Sequence, residues 1–194
     1  MTTLQQIKDL RAKTGAGMMD CKNALVASSG DFEAAIIHLR KQGLGYGNKR
    51  AGKVASEGTV GYYIHAGGKI GVLIEVNCET DFSSKSDTFQ SFVRDVAMHI
   101  AAADPSWISR NDVPTAVVDQ EKSIISAQIQ NKPPQVMQKI IDGRLNKFYK
   151  EQCLLDQLFV RDQNLTITDL VGDLISKIGE KVEIKRFTRY VLGE

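Results

Sequence analysis

The chain has 194 residues, and 25 Lys and Arg oppose 23 Asp and Glu, which gives a net charge of +2. Its length predicts one domain, or one domain with a small appendage. Hydrophobic residues make up 42% and charged residues 25% of the sequence, as in folded globular proteins. This composition excludes a disordered chain, and 4 prolines and 16 glycines exclude a collagen-like or Pro-rich chain.

The sequence gives no sign of a membrane or an export address. No apolar run approaches the roughly 18 residues of a membrane helix. The N-terminal stretch alternates polar and apolar residues and carries Asp9, unlike a signal or transit peptide. Cys21, Cys78 and Cys153 are widely spaced and lack metal-ligand spacing. We therefore expect a cytoplasmic protein with reduced cysteines, no membrane contact, no metal and no cofactor.

Residues 1–42 are predicted to form a head of three short helices. Leu4, Ile7 and Leu10 share one face of the first, and turn residues at 14–17 end it. The second helix runs from about residue 18 to 27. Asp31 is placed to cap the third helix. That helix carries an apolar stripe at i, i+3, i+4 and i+7, formed by Phe32, Ala35, Ile36 and Leu39.

Residues 43–57 are predicted to be a basic linker. They contain four glycines and little apolar periodicity, so the domain boundary is placed here. Their basic residues continue a cluster from the preceding helix, and no acid follows until Glu57. A solvated tether is the favoured interpretation, because five charges without interleaved aromatics are a weak nucleic-acid signal. The cluster consists of Arg40, Lys41, Lys49, Arg50 and Lys53.

Residues 58–194 are predicted to form an α+β core with an antiparallel sheet. Apolar alternation over 58–78, broken by a Gly-rich turn, predicts a β-hairpin. Its second strand is apolar on nearly both faces at the centre, so we expect both faces to be covered. A loop follows over 79–86, and a helix is predicted from Asp87 to about Ala103.

The rest of the core is predicted to contain helices and one late strand. Helices over about 114–130 and 134–150, separated by Pro133 and Pro134, are expected to form a helical hairpin. Thr166 or Thr168 opens a further helix. A strand from about Lys181 to Leu192 closes the core, with a phase slip near residues 185–186 that indicates a bulge.

Motifs of enzyme chemistry are weak or absent. The stretch 47–54 fits GxxxxGK but ends in Val54 instead of the Ser or Thr that binds magnesium, and no strand leads into it. The stretch 15–20 is a broken GxGxxG that follows a helix. His38, His65 and His99 are isolated, and each is read first as a structural or partner-facing histidine. No set of reacting groups of an enzyme is recognisable, but catalytic residues can converge from distant parts of a chain, so an unrecognised enzyme stays an alternative.

Two features are harder to explain as plain structure. Met18 and Met19 point about 100° apart on a helix, so they cannot share one buried stripe. One of them is then available to a partner, unless so small a bundle buries both. The second feature is Phe82 beside Asp81 in a polar loop. Phe82 either folds back into the core, as large apolar residues usually do, or stands out as a contact for another protein.

These features resemble one known family. Residues 10–25, LRAKTGAGMMDCKNAL, resemble the N-terminal signature of the translation elongation factor Ts family. Residues 75–82, EVNCETDF, resemble its second signature. The order of elements fits along the whole chain: head, linker, hairpin, Thr-Asp-Phe loop, helix with Ala97-Met98-His99, helical pair and final strand.

The resemblance implies an exchange factor. Members of the family bind elongation factor Tu, a GTPase, and promote release of its GDP by disturbing the magnesium and phosphate site. The head is similar to a ubiquitin-associated domain that contacts the nucleotide domain, and residues 81–82 match those that enter between two helices of the GTPase. The region near His99 matches the part that grips another domain. The partner-binding residues implied are Arg11, Met18, Met19, Thr80, Asp81, Phe82 and His99.

The chain departs from the family in two ways. Ser83 stands where an aliphatic residue commonly follows Thr-Asp-Phe, and there is one copy of the core where longer members have two. Short members are expected to compensate by forming a homodimer. No direct nucleic-acid partner is expected. The alternative function is a non-enzymatic adaptor or RNA-binding protein that uses the helical head and the basic linker.

Overall fold

The computed structural model describes residues 3–14, 16–41, 54–129 and 133–194. Within those ranges the chain has the predicted α+β fold, with helices and an antiparallel sheet. The helices are α1 (Leu4–Thr14), α2 (Met18–Ala27), α3 (Phe32–Lys41), α4 (Asp81–Ser84), α5 (Asp87–Ala103), α6 (Thr115–Gln128), α7 (Pro134–Gln152) and α8 (Ile167–Ile178). The strands are β1 (Glu57–Ile64), β2 (Ile70–Cys78), β3 (Leu158–Phe159), β4 (Asp162–Thr166) and β5 (Val182–Val191).

Helices α1 to α3 form a three-helix head around its own apolar core. The amide of Ala34 donates to Asp31 Oδ1 at 2.9 Å, so Asp31 caps α3 as predicted. The stripe predicted for α3 faces this core, with Phe32 only partly buried. The buried core residues are Ile7, Leu10, Ala16, Cys21, Ala24, Leu25, Ala35, Ile36 and Leu39.

The predicted head boundary at 42 and most of the linker over 43–57 lie outside the described residues, which resume at residue 54. The division into head, linker and core therefore stays a prediction. The side chains of the basic cluster at 40, 41, 49, 50 and 53 also lie outside the described part.

The main sheet has the strand order β1–β2–β5. The hairpin between β1 and β2 is closed by a hydrogen bond from the amide of His65 to the carbonyl of Ile70 at 2.9 Å. Gly61 lets α5 approach β1 closely, because a Cβ there would lie 2.2 Å from Val93 Cγ1. Burial along β5 changes phase at the consecutive exposed residues 185 and 186, where the sequence predicts a slip.

The outer face of β2 is only partly covered, contrary to the sequence expectation. Val72, Ile74 and Val76 are buried on the inner face, whereas Leu73 on the outer face is 50% exposed. The expectation that both faces are covered is therefore wrong for the described chain. An apolar outer face is unusual for an antiparallel sheet, whose solvent side is ordinarily polar.

The helices of the core follow the predicted order. Helix α5 has the predicted bounds, and α6 and α7 form the predicted helical hairpin, with residues 130–132 outside the described part. Thr166 rather than Thr168 begins α8, since its hydroxyl accepts from the amide of Asp169 at 3.1 Å. The short hairpin of β3 and β4, in which Leu158 pairs with Thr166, was not predicted.

The chain divides into two compact units. The first comprises Met1–Thr59, Val76–Phe92 and Leu170–Glu183, and the second comprises Val60–Glu75, Val93–Asp169 and Ile184–Glu194. The loop after β2 and the turn after α8 thus belong to the same unit. None of the helices in the described ranges combines the length and the hydropathy that a bilayer crossing requires.

Candidate functional site

The Thr-Asp-Phe loop, residues 80–82, runs into a capped helical turn within the stretch 79–86 that the sequence predicts to be a loop. The amide of Ser83 donates to Thr80 Oγ1 at 3.3 Å, so Thr80 is the N-cap of α4. The hydroxyl of Ser84 donates to the carbonyl of Asp81 at 2.8 Å. The amide of Lys85 donates to the same carbonyl at 3.2 Å. These bonds fix the backbone on both sides of Phe82.

Phe82 points away from its own fold. It is 83% exposed, whereas the neighbouring Ser83 and Ser84 are buried. Of the two alternatives left open by the sequence, packing into the home core is therefore excluded. A large aromatic held outward by a capped turn is a feature that protein interfaces favour. Its role in binding is a prediction that exposure alone does not test.

The departure at Ser83 is accommodated beside a polar group. Ser83 is buried, and it helps to lower the pKa of the Glu180 carboxyl, which belongs to the turn after α8. A serine therefore fits where an aliphatic residue would need apolar neighbours, because its hydroxyl has a polar neighbour.

Glu180 also binds the first residue of the Thr-Asp-Phe loop. The amide of Thr80 donates to Glu180 Oε2 at 3.0 Å, and the Thr80 hydroxyl donates to Oε1 at 2.7 Å. In the opposite direction, the amide of Lys181 donates to Glu79 Oε1 at 2.8 Å. We call Glu79, Thr80, Glu180 and Lys181 the loop anchor. It joins two segments that are 100 residues apart in the sequence.

The charge on Glu180 is favoured within the loop anchor. Partial burial raises the pKa of the Glu180 carboxyl, but hydrogen bonds from Thr80 and Ser83 outweigh it and leave the pKa below its ordinary value. The sequence analysis missed this residue. The only local signal is Gly179, whose φ of +72° turns the chain sharply after α8, and it does not indicate where the turn leads.

Asp81 is held by a second, exposed interaction. Lys85 Nζ lies 2.7 Å from Asp81 Oδ2, and both side chains are mostly exposed. The hydrogen bond and charge of Lys85 lower the pKa of the Asp81 carboxyl, so it is ionised at neutral pH. The loop thus presents an aromatic ring next to a carboxylate that is already paired within the chain.

The head presents the second group of predicted residues. Met18 is 40% and Met19 63% exposed, and Arg11 is also exposed. The turn before them is fixed by Asp20, which accepts from the amide of Gly17 at 3.2 Å. Both methionines therefore remain available at the start of α2, where the sequence required only one.

His99 is placed inside the protein, not on its surface. It is fully buried; its Nε2 lies 2.9 Å from Gln157 Oε1, and the amide of Val160 donates to Nδ1 at 3.3 Å. Because Nδ1 accepts, Nε2 carries the proton and donates to Gln157. Burial lowers the pKa of His99, which favours this neutral form. Its predicted contact role is untested, and its geometry is that of a residue holding the β3–β4 hairpin.

The three cysteines are buried and mainly protonated. Cys21, Cys78 and Cys153 are buried free thiols, and burial raises the pKa of each, for Cys153 to about 11. A protonated, buried thiol is a poor nucleophile and a poor metal ligand. In the ranges that the structure describes, no group of three His, Cys, Asp or Glu side chains is arranged to hold a metal ion.

Comparison with known proteins identifies relatives along the whole chain. A family model described as "Elongation factor TS" matches residues 46–194. A protein named "Elongation factor Ts" from Moorella thermoacetica is 54% identical and covers 100% of this chain and 97% of its own length. Those of Carboxydothermus hydrogenoformans and Geobacter sulfurreducens, with the same name, are 53% and 52% identical and are covered to 90% of their length.

Proposed function

The chain belongs to the elongation factor Ts family, and we propose that it is a guanine nucleotide exchange factor for elongation factor Tu. The family is one of translation elongation factors. In this proposal the protein binds the GDP form of elongation factor Tu in the cytoplasm and accelerates GDP release. It performs no covalent chemistry.

The observation that carries the proposal is the exposed ring of Phe82 on its capped turn. An isolated exposed phenylalanine is costly to solvate, and its burial in a partner contributes about 1.5–3 kcal/mol. The fixed backbone around it means that little conformational entropy is lost when the partner closes over the ring. The Thr-Asp-Phe loop is therefore suited to insert between two helices of another protein.

Insertion of Phe82 would weaken the binding of GDP, because the GTPase binds GDP and the exchange factor in linked equilibria. An exchange factor that binds the nucleotide-free GTPase more tightly than the GDP form must lower the affinity of the GTPase for GDP by the same ratio. Phe82 supplies this difference if its pocket opens only when the helices beside the magnesium and phosphate site move apart. Asp81 directs the ring by hydrogen bonding, or by repelling negative charge near the phosphates.

The head supplies affinity rather than displacement. Arg11 in the last turn of α1 offers a cation, and Met18 and Met19 at the start of α2 offer two flexible apolar side chains. This combination is suited to the nucleotide domain of the GTPase. The core, including the hairpin that His99 supports, is proposed to grip another domain. Two docking surfaces then hold the partner while the loop acts.

The test is the release of fluorescent GDP from elongation factor Tu. Purified protein should accelerate release, and Phe82→Ala should lower the maximal rate by about 10- to 150-fold, which corresponds to the loss of ring burial. Phe82→Leu should keep part of the activity because it retains apolar volume. Ile124→Ala, which shortens an exposed apolar side chain on α6, is the matched control and should leave the rate unchanged.

The proposal fails if wild-type protein leaves GDP release unaltered at every concentration. Equal rates for wild type and Phe82→Ala would exclude the Thr-Asp-Phe loop as the active element. RNA recovered with the purified protein, with no effect on GDP release, would favour the adaptor or RNA-binding alternative.

We also propose that the protein forms a homodimer through the outer face of its sheet. Leu73, Tyr190 and Leu192 are exposed there and, with Ile64, line a groove of about 530 Å³. Ile64 Cδ1 would lie 3.1 Å from a Cβ at Gly71, so it packs across β2. A second copy is the proposed cover, because an apolar sheet face is self-complementary about a two-fold axis.

Sedimentation equilibrium tests the homodimer. Wild type should sediment as a dimer, and Tyr190→Asp should shift it towards the monomer, since a buried unpaired charge opposes association. Val26→Asp, at an exposed position of α2, is the control for added charge. A wild-type monomer at about 100 μM would contradict the homodimer, because interfaces of standard size bind more tightly than this.

A further inference from the structure

Through the loop anchor, a residue outside the Thr-Asp-Phe loop, Glu180, holds that loop. Thr80 is the N-cap of α4, and a turn of four residues has little stability alone. Glu180 adds two hydrogen bonds to Thr80, one to the amide and one to the hydroxyl. The same hydroxyl accepts from the amide of Ser83, so the carboxylate supports the cap through Thr80.

The loop anchor is reciprocal, which limits sliding of one segment along the other. Glu180 accepts from the backbone of Thr80, and Glu79 accepts from the backbone of Lys181. Hydrogen bonds to a carboxylate are shorter and stronger than those between neutral groups. Each segment therefore holds the other at two adjacent residues, directly before the exposed Phe82.

The turn after α8 is built to deliver Glu180. The amide of Gly179 donates to the carbonyl of Ile175 at 2.9 Å, which ends the helix. Gly179 has φ of +72°, a conformation that residues with a Cβ rarely adopt. The next residue, Glu180, then faces Thr80, and β5 begins two residues later at Val182. Helix α8 before Glu180 and strand β5 after it are regular elements, and together they fix the position of the Glu180 carboxylate.

We propose that Glu180 is a positioning residue of the exchange reaction, which holds residues 80–82 so that Phe82 meets its pocket in the partner. This inference rests on the proposed function and assigns to it a residue from outside the Thr-Asp-Phe loop. Glu180 does not contact the GTPase in this account. Without it, α4 populates other conformations, and Phe82 is correctly placed in only a fraction of collisions.

The kinetic test separates positioning from docking. Glu180→Ala should lower the maximal rate of GDP release roughly tenfold, as a misplaced reacting group does. The half-saturating concentration should change less, because the head and the core still dock. Glu180→Gln keeps one carbonyl acceptor, so its release rate should lie between the rates of wild type and Glu180→Ala. Asp173→Ala removes an exposed carboxylate from α8 and should match wild type.

A double-mutant cycle assigns the effect to Phe82. If Glu180 acts by placing this ring, Glu180→Ala should cost nothing further once Phe82 is alanine. Equal losses in both backgrounds would overturn the proposal, as would a wild-type rate for Glu180→Ala. Circular dichroism and thermal unfolding establish that each variant is folded, and Glu180→Gln replaces Glu180→Ala if the latter unfolds.

Hydrogen exchange examines the loop anchor without any partner. In Glu180→Ala the amides of Thr80 and Ser83 should exchange faster, while those of α1 to α3 should not change. Unchanged exchange at Thr80 and Ser83 would overturn the positioning role even if release slowed. Faster hydrogen exchange together with a Phe82→Ala release rate equal to wild type would exclude the Thr-Asp-Phe loop as the active element, and with it any role of the anchor in nucleotide exchange, whereas the proposed function fails only if wild type leaves GDP release unaltered.

Discussion

The Thr-Asp-Phe loop and the head both expose apolar side chains, but they are held by different forces. Phe82 stands on a four-residue turn whose N-cap, Thr80, donates two hydrogen bonds to Glu180, 100 residues away. Met18 and Met19 stand on a helix whose position depends on a local apolar core. Directional hydrogen bonds fix one geometry, whereas apolar packing tolerates substitutions that keep volume.

This contrast predicts that the loop and the head have different roles in exchange. A fixed ring can be aimed at one pocket and used to displace helices. Flexible methionines on a small bundle adapt to a surface and contribute affinity. The loop should therefore govern the maximal rate of GDP release and be sensitive to single polar changes. The head should govern the half-saturating concentration and be sensitive to loss of its core.

The largest expected effect is on the stability of the head. Leu25 is fully buried in its core, and Leu25→Ala should lower the free energy of unfolding of the head by about 3 kcal/mol. A bundle of about 40 residues has little stability to lose, so the head should unfold. Hydrogen exchange of α1 to α3 measures this, with Val26→Ala as the control at an exposed neighbouring position. Retained protection in Leu25→Ala would contradict the importance of the core.

Acidification should affect the loop anchor. Hydrogen bonds hold the pKa of Glu180 below its ordinary 4.5, so the ionised group stabilises the folded state above pH 4.5. This stability is lost as the pH falls through the lowered pKa, because the unfolded chain binds the proton first. Wild type should be about 1 kcal/mol more stable than Glu180→Gln at pH 7. Their thermal unfolding midpoints should converge as the pH falls towards 3.

Comparison of wild type with Glu180→Gln cancels the contribution that the other acid-sensitive groups make to the pH dependence of stability. His99 has a lowered pKa in both proteins, so both lose stability as the pH falls below its ordinary 6.5. That loss cancels in the difference between them. A difference that stayed constant from pH 7 to 3 would exclude the carboxylate charge as the source of the stabilisation.

The head residues were predictable from the sequence, and the support of the loop was not. Two consecutive methionines on a helix must face different directions, so exposure of at least one follows from helical geometry. The turn that carries Phe82 is hydrogen-bonded through Thr80 to Glu180. No periodicity links positions 100 residues apart, and a four-residue helix shows no apolar stripe.

His99 shows that a local signal was present but not used. It lies three residues after Val96 and seven after Phe92, so helical spacing places it on the buried stripe of α5. For the outer face of β2 the opposite holds, because there the local signal was used. Its apolar residues indicate a cover, but a single chain's sequence does not say whether that cover is its own or comes from another copy.

A smaller effect is expected at the head surface. Met19 is exposed at the start of α2, and Met19→Ala should raise the half-saturating concentration about fivefold, an ordinary cost for an apolar interface residue. The maximal rate of GDP release should stay at the wild-type value, unlike that of Phe82→Ala. Met19→Leu keeps the volume and should bind nearly as wild type. A fall in maximal rate for Met19→Ala would contradict the division between the two regions.

The smallest expected effect concerns the exposed pair beside Phe82. Lys85 Nζ lies 2.7 Å from Asp81 Oδ2, so in the proposed function Lys85 competes with the partner for this carboxylate. Lys85→Met keeps the side-chain length while it removes this competitor. The half-saturating concentration should fall about twofold at low salt, since exposed ion pairs contribute little. The effect should shrink as salt is added. It should vanish in an Asp81→Asn background, whereas weaker binding by Lys85→Met would mean that Lys85 itself holds Asp81 in its productive orientation.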